Sequence, residues 1–128
     1  MNDPSEISAL KDAPPTASEV PVVDLVHLEQ MTLGDRRLER QVLELFARQA
    51  ELLVARMTRS EPAALASLAH TLCGSARAIG ARRVAAAAEA LERTAIARRA
   101  VEGELAELVA AANEARYAIN GGGSPRTD

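Results

Sequence analysis

The chain has 128 residues, a formal net charge of -3, and 48% hydrophobic but only 2% aromatic residues. That length suits one domain able to bury a core with little to spare, and the acidic balance argues against nucleic acid as a partner, because the basic footprint is missing. A single cysteine, Cys73, excludes an internal disulfide and a Cys-rich zinc site. Ala, Leu, Glu, Arg and Gln are all strong helix formers, and they point to an all-α protein. All 15 basic residues except Lys11 are arginine.

Residues 1–22 hold four of the six prolines, with Ser, Thr, Asp and Glu between them. They read as a flexible leader. The start, MNDPSEISALKDAPP, lacks the basic segment and apolar run of a signal peptide. Asp24 can cap a short helix, Leu25 to Met31, that ends before Gly34. A long helix is expected from about Asp35 to Arg59, with Leu38, Val42, Leu45, Phe46, Leu52 and Leu53 as its apolar stripe. Ser60 is placed as the next N-cap, with Glu61 and Pro62 in the first turn. The third long segment carries Leu65, Leu68, Leu72, Ala76 and Ile79 on one face and stops at Gly80. Another starts near Ala81, with Val84, Ala88, Leu91 and Ala95 inward. The last runs from about Glu102 to Ile119, with Leu105, Leu108, Val109, Ala112 and Ile119 inward. Residues 121–128 (GGGSPRTD) read as a flexible tail, which leaves 23–120 as the folded bundle.

Short connections between amphipathic helices imply antiparallel neighbours. The expected fold is therefore an up-down four-helix bundle with a short additional N-terminal helix. No stretch approaches the ~18 apolar residues of a membrane span. A soluble, cytoplasmic, monomeric protein without a membrane partner is expected.

At ~100° per residue, the stripe of the third long segment centres near Leu72 and His70 falls roughly opposite, toward solvent. Its helical neighbours are Ala66, Ser67, Cys73 and Gly74, all small where a surface helix ordinarily carries Glu, Lys, Arg or Gln. A mid-helix glycine costs roughly 0.5–1 kcal/mol relative to alanine. Gly74 fits either close approach of an outside group or close packing of another helix. A neutral imidazole is nucleophilic and titrates near physiological pH. Arg77, two turns on, could offset the charge of a bound phosphoryl group. The plainer alternative is an ordinary surface histidine.

The stretch Leu68-Ala69-His70-Thr71-Leu72-Cys73-Gly74-Ser75-Ala76-Arg77-Ala78-Ile79-Gly80-Ala81 resembles the signature of histidine-containing phosphotransfer (HPt) domains, roughly AHxLKGSAxxxGA. The following apolar helix ends in a Leu-Glu-like pair, matched by Leu91-Glu92 after Ala90. Leu33-Gly34-Asp35 and Leu45-Phe46-Ala47-Arg48-Gln49 look like the start and middle of the preceding helix in bacterial members. The resemblance spans about Val23 to Ile119. It implies phosphorylation of His70 on Nε2, with Cys73, Gly74, Ser75, Arg77 and Gln49 around the phosphoryl group. The donor would be a receiver-domain phospho-aspartate or a hybrid sensor histidine kinase, and the acceptor a response-regulator aspartate. The chain would need no cofactor of its own, since the receiver would bring Mg²⁺. It would act as a covalent carrier, and with no nucleotide-binding segment it would not autophosphorylate.

Docking would use the short first helix and the neighbouring faces of the next two, with Leu28, Met31, Leu33, Ala66 and Ser67 as candidates. Leu28, Met31 and Leu33 fit either a docking patch or a lid over the core. The family usually has Lys where this chain has Cys73, so Arg77, Arg82 or Arg83 would have to supply the positive charge. That departure also keeps open an HPt-like adaptor that binds a receiver or kinase without being phosphorylated. Gln49 is either a core amide bonded to a backbone carbonyl or a group that reaches the imidazole and fixes its tautomer. His27 reads as surface. Glu89 and Arg93 are spaced for an i,i+4 ion pair.

Overall fold

A computed structural model describes residues 23–121; the expected leader, 1–22, and the tail from 122 lie outside the described residues. Each helix begins and ends where local chemistry dictates. The Asp24 carboxylate accepts from the His27 backbone N–H at 3.1 Å and starts α1, Leu25–Thr32. Leu33 (φ 57°) and Gly34 (φ 79°) then turn the chain through the left-handed region. Asp35 caps α2, Arg36–Met57, through the Leu38 N–H. Pro62 opens α3, Pro62–Ile79, where its missing N–H leaves nothing unpaired. Gly80 (φ 81°) ends α3, and only Ala81 separates it from α4, Arg82–Ile96. The last helix, α5, is Glu102–Ile119; Glu102 and Glu104 lie in its first turn and Arg116 in its last, as the helix dipole favours.

Ser60 does not cap α3. Glu61 holds the cap position without a side-chain bond, and the Ser60 hydroxyl instead donates to the Arg56 carbonyl at 2.7 Å, closing the end of α2.

Helices α2, α3, α4 and α5 form a ring in which each packs on its neighbours, α5 closing back on α2, while α1 lies against α2 and α3. Short connections make consecutive helices antiparallel. The core joins Phe46, Ala50, Leu53 and Met57 of α2 to Leu65, Ala69, Leu72, Ala76 and Ile79 of α3. Val84, Ala88, Leu91 and Ala95 of α4 and Leu108, Ala111 and Ala115 of α5 complete it. The many alanines let the helix surfaces meet closely without large side chains. The described residues hold five helices and no strand, and no helix among them is long and apolar enough to cross a membrane.

Two expectations for the stripes need correction. On α2, Leu45 is 62% exposed, Leu52 66%, and Leu38 is exposed too. These three recur every seven residues and lie along the solvent flank, whereas the buried line is Phe46, Ala50, Leu53 and Met57. On α5, Leu105, Val109 and Ile119 are half-buried, and the closest packing falls on Leu108, Ala111, Ala112 and Ala115.

Candidate functional site

His70 sits in the middle of α3, with 75% of its side chain exposed. The helix is buried on the Leu65, Ala69, Leu72 and Ala76 side, which turns the imidazole outward. Its Nδ1 lies 3.0 Å from Oε2 and 3.3 Å from Oε1 of Glu92 on α4. An ionised carboxylate only accepts, so this bond calls for a proton on Nδ1. The Nε2 lone pair then faces solvent, with no hydrogen-bond partner among the described residues.

A second rung crosses the same groove. Arg77 of α3 donates to Glu89 of α4 at 3.1 Å, and Arg93 reaches the other Glu89 oxygen at 3.5 Å, the expected i,i+4 pair. Between these rungs, Cys73 is turned into the core and is only 4% exposed. Burial pushes its thiol above the usual range; the nearby Arg77 opposes this, while Glu89 and Glu92 add to it. Cys73 therefore contributes to packing and not to the surface around the ring, contrary to the expectation from the helical wheel. The reason is the α3–α4 interface, which covers that flank of α3.

The remaining neighbours keep the ring clear. Ser67 and Gly74 are exposed and Ala66 is half-buried. A Cβ built on Gly74 meets nothing within 4 Å, so close helix packing does not explain this glycine. Ser75 is half-buried and, five residues on, lies about 140° around the helix from His70, off its face. Gln49 is half-buried on α2 and makes no hydrogen bond to the imidazole; that contact belongs to Glu92. The arginines are also committed: Arg77 to Glu89, Arg82 to Asp24 at 2.6 Å, and Arg83 to Glu114.

Of the docking candidates on α1, Leu28 is buried in the core and cannot meet a partner. Met31 is exposed, and Leu33, in its left-handed turn, is 92% exposed. Leu25 and Val26, which the sequence did not single out, are exposed apolar residues of the same helix. His27 is half-buried rather than free at the surface, and its Nε2 donates to the Ala78 carbonyl at 3.0 Å, holding α1 against the last turn of α3. Among the described residues no three His, Cys, Asp or Glu side chains gather as a metal site.

Glu92 is the functional group that sequence reasoning missed. It was visible only as the end of a family-like Leu-Glu pair, and its partner lies on another helix. Comparison with known proteins gives one match: the family model described as Hpt domain matches residues 40–118. No curated protein and no solved structure is matched.

Proposed function

The chain belongs to the Hpt domain family of two-component phosphorelays, whose members are phosphotransfer carriers and not enzymes, and on that premise we propose that His70 takes up a phosphoryl group and hands it on. The observation that carries this is the imidazole itself: exposed, cleared by small neighbours, held at Nδ1 by Glu92, with Nε2 open to solvent.

In this mechanism the Nε2 lone pair attacks the phosphorus of an acyl phosphate on a docked receiver domain. The N–P bond forms as the acyl P–O bond breaks, and the electron pair leaves on the receiver's aspartate. The reverse reaction toward a response-regulator aspartate passes the group on. A hybrid sensor kinase is the alternative donor. Mg²⁺ and most catalytic groups come from the receiver, so the bundle supplies an oriented nucleophile and positioning. Met31, Leu33, Leu25 and Val26 offer apolar contact to that partner. Incubation with a labelled phospho-receiver or kinase should give label that is acid-labile, alkali-stable and absent in His70→Gln; label retained in that variant overturns the assignment.

One observation favours a second reading. Every arginine expected to neutralise the phosphoryl group is paired with a carboxylate, and Glu92 places a further negative charge at the ring. An adaptor that binds a receiver or kinase without being phosphorylated would tolerate this. Receiver binding unchanged in His70→Ala, with no transfer from any receiver or kinase tried, would favour the adaptor.

A further inference from the structure

Helix α2 differs from the other long helices in its charges. The arginines of α3, α4 and α5 are all paired: Arg77 and Arg93 with Glu89, Arg82 with Asp24, Arg83 with Glu114, and Arg116 with Glu51. On α2, Arg37, Arg48 and Arg56 are exposed and pair with no carboxylate among the described residues. At ~100° per residue they fall within about 80° of the exposed line Leu38, Leu45 and Leu52. Glu44 and Glu51 lie farther round α2, toward α5, where Glu51 meets Arg116. The neighbouring α3 has no acidic residue. α2 therefore presents an apolar line about 21 Å long, edged by positive charge that the bundle leaves unbalanced.

The balancing charge is concentrated in one segment. Residues 1–22, outside the described residues, hold Asp3, Glu6, Asp12 and Glu19 against Lys11, so the whole chain's net charge of -3 resides there. Large apolar residues stand beside those acids: Ile7 next to Glu6, Leu10 near Asp12, and Val20 next to Glu19. Val23 packs against the core, and the Asp24 N–H donates to the Gly80 carbonyl at the end of α3. That end of the bundle is also where the antiparallel α2 begins. From there the leader can reach up to ~70 Å, about three times the length of the leucine line. We infer that the acidic leader docks on this flank of α2, its apolar residues on Leu38, Leu45 and Leu52 and its carboxylates beside Arg37, Arg48 and Arg56. A second copy of the chain fits less well. A two-fold interface would set the same basic patch against itself. The leucine line also falls short of the roughly three to four heptads that sustain a coiled coil. The tether matters for a patch this small. Attached to the bundle, the leader is at an effective concentration on the order of 1 mM, enough to hold about half the molecules docked through a contact of millimolar affinity. The inference stands or falls independently of phosphoryl transfer.

The test compares the full chain with a leader variant carrying Asp3→Asn, Glu6→Gln, Asp12→Asn and Glu19→Gln together. Backbone amide signals from Leu38 to Arg56 are expected to differ between the two proteins. Those around Glu107, on the side of α5 that faces α4, should coincide. A nitroxide spin label at Ser8→Cys, in a full chain with Cys73→Ala, reports proximity directly. The amide signals of Leu45, Arg48 and Leu52 are expected to lose about half their intensity, following the docked fraction, and that of Glu107 little. Near 1 M salt, where the Debye length is about 3 Å, the loss should fall to the level seen at Glu107. Neutralising the leader acids in the spin-labelled chain should do the same. Uniform broadening over the bundle, or a loss that salt and charge removal leave unchanged, overturns the inference. Broadening in a mixture of spin-labelled ¹⁴N chains and unlabelled ¹⁵N chains assigns the flank to a second copy and overturns it too. Identical amide signals in wild type and leader variant overturn it without any label, should Cys73→Ala fail to fold.

Discussion

Gly74 within α3 and Gly80 at its end are glycine for opposite reasons. A Cβ on Gly80 would lie 2.8 Å from the Asp24 Cβ and 3.2 Å from the Asp24 backbone N and O, at a φ of 81° that side chains resist. The Asp24 N–H also donates to the Gly80 carbonyl at 3.0 Å. At this corner glycine lets α1 dock on the end of α3. Gly74 has open space around it and ordinary helical geometry, so the fold would accept a larger residue there. A glycine inside a helix where packing does not need one forgoes roughly 0.5–1 kcal/mol of stability relative to alanine. The first glycine serves the bundle; the second, beside His70, serves no packing need, and on the proposed carrier reading it leaves room for a docked partner.

Gly80→Ala attacks the first region and carries the largest expected stability loss. The left-handed conformation and the contact with the Asp24 backbone together should cost about 2–4 kcal/mol. For a domain of this size that lowers Tm by roughly 10–20 °C. Thermal unfolding followed by circular dichroism checks it; a Tm within a few degrees of wild type would show that α1 is loosely held.

Gly74 should behave in the reverse way. Gly74→Ala is expected to raise stability by about 0.5–1 kcal/mol, since the new methyl meets nothing. Gly74→Leu should stay folded yet slow transfer from a docked receiver by about tenfold or more, because a near-attack geometry tolerates little displacement. Loading by phosphoramidate should change far less, as that donor needs no docking surface. Equal receiver transfer in Gly74→Leu and wild type would break the contrast between the two glycines.

Both glycines were visible in the sequence, and so was the frame. The capping aspartates Asp24 and Asp35, Pro62 at the start of α3 and Gly80 at its end act through residues close in the chain, and helix ends follow from such neighbours. The exposure of His70 follows from its angle to Leu72 on one helix. What the sequence left hidden depends on the register between helices. Cys73 lies between the exposed and buried arcs of α3, and only the position of α4 decides that it goes inward. The same docking brings Glu92 to Nδ1, a meeting of residues on two helices that no single-helix wheel displays. Leu45 and Leu52 misled for a related reason. Leucine spaced by seven suits a buried seam, but the ring of helices placed that seam on Phe46, Ala50 and Leu53.

The smallest expected effect lies at the Gly80 corner and reads its electrostatics apart from its packing. The Asp24 carboxyl is held below the usual 3.8, first by the His27 backbone N–H; burial opposes this and the Arg82 guanidinium reinforces it. A carboxyl whose value is lowered on folding contributes stability that is complete above 3.8 and is lost as pH falls through the lower folded value. Asn is as good an N-cap as Asp, so Asp24→Asn keeps the bond to His27 and removes only the charge facing Arg82. Its Tm should lie slightly below wild type at neutral pH, with the gap closing once Asp24 itself becomes protonated in acid. A gap that persists unchanged in acid would assign the loss to altered packing against Gly80 rather than to charge. The corner would then depend on steric fit alone.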